Sequence, residues 1–126
     1  MKTILLADHM ASERAFQKEI LTKNGFNKFE EAADAKQAVE KFIKSKPDLV
    51  IIELDSPELD GNFDGILAIK EIKAIDNDAK IIACTEHGAR FITIEAMQLG
   101  VVDLHVKPIL KLHSDRLSES VKKALL

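Results

Sequence analysis

The chain has 126 residues, 46% hydrophobic and 31% charged, with 18 Lys and Arg against 21 Asp and Glu and a net charge of −3. That balance suits one soluble globular domain, residues 1–126, and leaves no length within them for a second catalytic or DNA-binding domain. A slightly acidic surface argues against nucleic acid as a direct partner, and the absence of Trp and Tyr argues against an aromatic flavin or nucleobase site.

Ile4–Ala7 is a short unbroken apolar run ended by Asp8-His9, the pattern of a strand buried on both faces. It is too short for a signal-peptide core or a membrane span, so a cytoplasmic location with no membrane partner is expected. Ser12 can cap a helix running to about Asn24, with Phe16 and Ile20 facing inward and Gly25 as its stop. A weak strand follows around Phe29. Asp34 with Gln37 three residues on forms a capping-box pattern, and Ala35, Ala38, Val39, Phe42 and Ile43 repeat at helical spacing.

Pro47-Asp48 opens the strongest strand, Leu49–Leu54, and a polar loop runs from Asp55 to Asp64. A helix from Gly65 to about Ala74 turns Ala68, Ile69 and Ile72 inward. Ile81–Cys84 is another buried strand, stopped by Thr85-Glu86-His87-Gly88. Its Cys84 is the single cysteine, which excludes an internal disulfide, a CxxC pair and a Cys-rich zinc site. A helix with Phe91, Ile94, Ala96 and Met97 ends at Gly100. Val101–Val106 gives the last strand, stopped by Lys107-Pro108, and the final helix carries Leu117, Val121, Ala124 and Leu125.

Five strands alternating with five helices predict an α/β fold, a doubly wound parallel sheet with helices on both faces. Ligands of such sheets sit at the carboxyl ends of the strands. At those ends stand Asp8 and His9, Glu53 and Asp55, Thr85, and Lys107. Acids can hold a divalent cation, and a hydroxyl with an ammonium can hold a phosphoryl group.

The stretches "ILLADH", "PDLVIIEL", the following "SP" and "DG", "IIACT" and "LGVVDLHVKP" resemble the receiver domain of two-component response regulators along essentially the whole chain. The resemblance implies a flavodoxin-like, three-layer fold with strand order 2-1-3-4-5. It implies a phosphorelay role, in which a histidine kinase passes a phosphoryl group to an aspartate ending the third strand. Magnesium is then held by acids after the first strand, and a hydroxyl and a lysine contact the phosphoryl group. Asp8, Thr85 and Lys107 match that pattern. His9 stands at the second acid, Glu53 at the phosphoacceptor, and Leu104 at an aromatic position of the last strand.

Glu53 carries its carboxylate about 1.5 Å further out than aspartate. It is either a built-in substitute for the phosphoryl group or a decayed site. Both imply a degenerate receiver that works without phosphorylation. Such a receiver acts by protein–protein contact through its fourth helix, last strand and last helix. The alternative is a competent receiver that accepts a phosphoryl group with a divalent metal. Neither is an enzyme beyond, at most, its own phosphorylation and dephosphorylation. The implied partner is a sensor histidine kinase or a downstream signalling protein, and the chain is a monomer or weak homodimer.

His9 in place of a hard oxygen weakens a magnesium site. A softer ion such as zinc or nickel is conceivable with Asp8, His9, Glu53 and Asp55. The simpler alternatives are a histidine that hydrogen-bonds a neighbouring carboxylate, or one that senses pH. Asp55 is also a minor candidate phosphoacceptor. Asp60, Asn62, Asp64, Gly65 and Glu71 match a calcium-loop spacing. An EF-hand needs a helix before its loop, and here a strand and Pro57 precede it, so calcium binding is not expected.

Overall fold

The computed structural model describes residues 1–55, 64–85, 90–107 and 114–126. The strands are β1 (Thr3–Ala7), β2 (Lys28–Ala32), β3 (Leu49–Glu53), β4 (Ile81–Thr85) and β5 (Asp103–Val106). The helices are α1 (Ala11–Lys23), α2 (Ala35–Ser45), α3 (Gly65–Ile75), α4 (Arg90–Gln98) and α5 (Ser114–Ala124). All strand pairs are parallel, as the alternation of elements predicts, and the order is β2-β1-β3-β4-β5, as the receiver resemblance implies. Among the described residues no helix is long and apolar enough to cross a membrane.

Strand alternation sorts the core into two layers. Leu5, Ala7, Val50, Ile52, Ile81 and Ala83 face α2, α3 and α4. Ile4, Leu6, Leu49, Ile51, Ile82 and Cys84 face α1 and α5. Every residue of β3 and β4 is buried, which explains their unbroken apolar runs.

Several local expectations need correction. Helix α1 starts at Ala11 with Met10 as N-cap, so Ser12 lies inside the first turn. Asp8 decides this start, because its Oδ1 accepts from the Met10 N–H at 2.9 Å. β3 ends at Glu53, one residue before Leu54, and β5 begins at Asp103 rather than Val101. Of the apolar set expected for α4, only Ala96 is buried; Phe91, Ile94 and Met97 are exposed. The helix turns Ile92 and Ala96 to the core, and Leu99 just past its end continues that i, i+4, i+7 edge, which leaves the other three on the outer side.

The capping expectation at α2 is met. Asp34 Oδ1 accepts from Gln37 N–H at 2.7 Å, and Gln37 Oε1 accepts from Ala33 N–H at 3.0 Å. Asp64 likewise caps α3, accepting from Leu67 N–H at 3.0 Å. Residues 60–62 of the calcium-type spacing lie outside the described residues, and Glu71 is part of α3. Gly65 is required by space: a Cβ there would lie 2.1 Å from the Glu53 carbonyl oxygen and 2.7 Å from Leu54 Cα. The start of α3 therefore packs directly on the backbone that carries Glu53.

Candidate functional site

Four strands deliver their C-terminal residues to one edge of the sheet. Asp8 follows β1 and extends its pairing, donating its N–H to Ala32 O. Glu53 ends β3 in register with Cys84, Thr85 ends β4, and Lys107 follows β5 with its N–H on Thr85 O at 2.7 Å. Asp8, Glu53, Thr85 and Lys107 are all buried. Parallel pairing in register is what brings these sequence-distant groups together.

Lys107 Nζ donates to Glu53 Oε2 at 2.8 Å and to Asp8 Oδ2 at 2.9 Å. Burial works against its charge, but the bonds to Glu53 and Asp8 prevail and hold the ammonium above the ordinary lysine range. The other oxygen of Glu53, Oε1, accepts from the His9 backbone N–H at 2.7 Å and lies 2.7 Å from His9 Nδ1. That closeness to a carboxylate oxygen assigns the ring proton to Nδ1. His9 Nδ1 is also 3.6 Å from Asp8 Oδ1. One glutamate thus links the loop after β1 to the end of β5.

Arg14 was not foreseen. Its Nη1 donates to Asp8 O at 2.6 Å while its Nε holds Glu31 at 3.0 Å. Only the turn between β1 and α1 makes this contact, and no spacing rule points to it. The buried Cys84 thiol is pushed far up by burial, with the Asp8 charge adding to it, so it stays protonated and inert.

Asp8, His9 and Glu53 bring one ligand atom each within 4.8 Å of one another. Asp55 does not join them. It lies beyond the strand end and lines a separate groove with Asp64, Lys70 and Glu95, where its Oδ1 is buried without a hydrogen-bond partner among the described residues. Leu104, at the aromatic position, is half-buried and packs on the layer formed with α2, α3 and α4.

The family model described as "Response regulator receiver domain" matches residues 4–122. The chain belongs to the response regulator receiver domain family. It is 43% identical to the chemotaxis protein CheY of Bacillus subtilis over 122 residues, covering 97% of this chain and 96% of that protein. It is 31% identical to the sporulation initiation phosphotransferase F of the same species, covering 97% and 92%. Among solved structures, the response regulator domain of Thermotoga maritima CheB aligns with a TM-score of 0.83 at 30% identity, covering 99% and 96%. Receiver domains typically bind Mg2+ through acidic residues. In this receiver one donor of the cluster is an imidazole nitrogen, and an ammonium already bridges the two carboxylates.

Proposed function

We propose that this receiver signals without phosphorylation, with Glu53 as a permanent substitute for a phosphoryl group. The observation that carries the reading is the double engagement of the Glu53 carboxylate. One oxygen takes the Lys107 ammonium and the other takes the His9 backbone N–H and ring. A phosphoryl group offers acceptor oxygens in the same way, with about one further negative charge. The extra methylene of glutamate supplies the reach.

A chain in this state acts by contact with a signalling partner, a sensor kinase or a downstream protein, and not as an enzyme. The outer side of α4 with β5 is the surface we assign to that contact. Phe91, Ile94, Met97, Val102 and Val106 are exposed there. Magnesium has a weakened claim on the site. It prefers oxygen donors in an octahedron, and His9 and the Lys107 bridge both work against that.

The retained Asp8, Thr85 and Lys107 favour the second reading, a competent receiver. Incubation with acetyl phosphate and Mg2+, followed by intact-mass measurement, separates the two. No phosphoryl adduct on the natural chain, with an adduct regained in the double variant Glu53→Asp/His9→Asp, supports the first reading. An adduct on the natural chain overturns it.

A further inference from the structure

We propose that His105, Asp103 and Ser120 form a proton-operated latch that holds α5 on β5 at neutral pH and releases it in mild acid. His105 is in register with Cys84, so its ring enters the layer that faces α1 and α5. It is 4% exposed there, and its Nε2 is a buried atom with no hydrogen-bond partner among the described residues. Asp103, two residues back on the same side of the strand, places Oδ2 3.7 Å from that nitrogen. The same oxygen accepts instead from Ser120 Oγ on α5, while Oδ1 accepts from the Leu104 N–H at 2.8 Å. One carboxylate thus ties the helix to the strand and leaves the ring without a bond.

The docking of α5 depends on such polar ties. Its buried side chains, among those described, are Leu117, Val121 and the serines Ser118 and Ser120. The two serines are anchored by hydrogen bonds, Ser118 Oγ to Asn24 Nδ2 of α1 at 2.8 Å and Ser120 to Asp103. A helix held in this way is a unit for local opening, separate from global unfolding. A cleft lined by Lys80, Val102, Asp103, Ser120 and Lys123 opens beside the latch and gives water access to it.

The charges around the ring set the direction of the response. Burial disfavours the imidazolium most; Asp103 favours it and Arg116 of α5 opposes it. The Asp103 side chain is 40% exposed, so its attraction is screened. Lys80 before β4 and Lys123 of α5 bring further positive charge to the cleft. From β4 the neighbour is Cys84, whose thiol stays protonated. Helix α1 turns the uncharged Gln17 inward, and its Glu13 acts on Cys84. Lys107, two residues beyond His105, is matched by Asp8 and Glu53. Docked α5 therefore refuses the proton, whereas lifted α5 exposes an imidazole of ordinary pKa, about 6.5. Below that value proton binding favours the lifted state. The latch contains no residue of the Glu53 cluster, so it stands whether or not this receiver accepts a phosphoryl group.

Amide hydrogen exchange of the full chain, followed by NMR at pH 7.5 and pH 5.5 and corrected for intrinsic exchange, tests the latch. Protection of the α5 amides from Leu117 to Val121 should fall about three- to tenfold at the lower pH, relative to the β4 amides Ile81–Thr85. His105→Val should abolish that relative loss, and His105→Gln takes its place should the valine variant fail to fold. His113→Ala removes the histidine that precedes α5 in the chain and should leave the loss intact. An equal fall in α5 and β4 would mean global unfolding and would overturn the proposal. So would α5 protection that is the same at both pH values, a relative loss that persists without the His105 imidazole, or one abolished by His113→Ala.

Discussion

Two buried polar groups lie two residues apart, His105 in β5 and Lys107 just past its end, and they handle burial in opposite ways. Lys107 keeps its charge because two carboxylates meet it within 2.9 Å. His105 is also buried, and its Nε2 has no hydrogen-bond partner among the described residues. Asp103 Oδ2 is 3.7 Å away and accepts instead from Ser120 Oγ. Burial lowers the His105 pKa, Asp103 opposes that and Arg116 adds to it, so the ring is held neutral. A buried charge survives where partners converge on it, and a buried base without them gives up its proton.

The largest effect should come from breaking the paired side. Lys107→Met leaves Asp8 and Glu53 as buried carboxylates without their common cation. Loss of one partner of a buried pair costs about 3–5 kcal/mol, readable by urea denaturation at neutral pH. A loss under about 1 kcal/mol, the size of an exposed pair, would mean that water reaches the cluster.

Gly65→Ala strikes the support of the same cluster, since its Cβ meets the backbone at Glu53 and Leu54. The expected cost is about 1–3 kcal/mol or more, as for overpacking in a core. A variant with unchanged denaturation midpoint would show that α3 can move off β3 freely.

The pH limbs sharpen the contrast. The Lys107 pKa is raised on folding, so its contribution is complete below the ordinary lysine value of about 10.4 and is lost as pH rises beyond it. The His105 pKa is lowered. Below about pH 6.5 the unfolded chain binds a proton that the folded chain refuses, and stability falls until the folded value is passed. His105→Val should therefore lose less stability between pH 8 and pH 5 than the natural chain, measured by denaturation at both. Equal losses would remove His105 from the acid limb.

The smallest effect is expected outside both regions. Phe91 is 85% exposed on α4, so Phe91→Ser should alter stability by less than about 0.5 kcal/mol. A larger loss would mean that this ring is covered in solution, and light scattering would then reveal self-association.

Much of the architecture was legible because buried parallel strands write themselves as unbroken apolar runs, and glycine and aspartate mark the helix ends. Ile4–Ala7, Leu49–Ile52 and Ile81–Cys84 are such runs, and Asp34 and Asp64 cap the helices they precede. Element edges were less legible. Met10 rather than Ser12 begins α1 because a side chain from the preceding loop, Asp8, takes the Met10 N–H. The inner side of α4 was obscured because Phe91, Ile94 and Met97 are as apolar as Ile92, Ala96 and Leu99. Composition cannot tell which of two apolar sides meets the sheet.

By itself, then, the sequence determined the order of elements, the parallel sheet and the identity of the groups brought to its carboxyl edge. Local pattern suffices for these, since each follows from the periodicity of a short stretch and the residue that ends it. Only the tertiary structure decided which oxygen of Glu53 meets His9 and which meets Lys107, and that Asp55 turns away into another groove. Those outcomes depend on parallel register and on the close contact of Gly65 with β3. They join residues as many as 99 positions apart, as between Asp8 and Lys107.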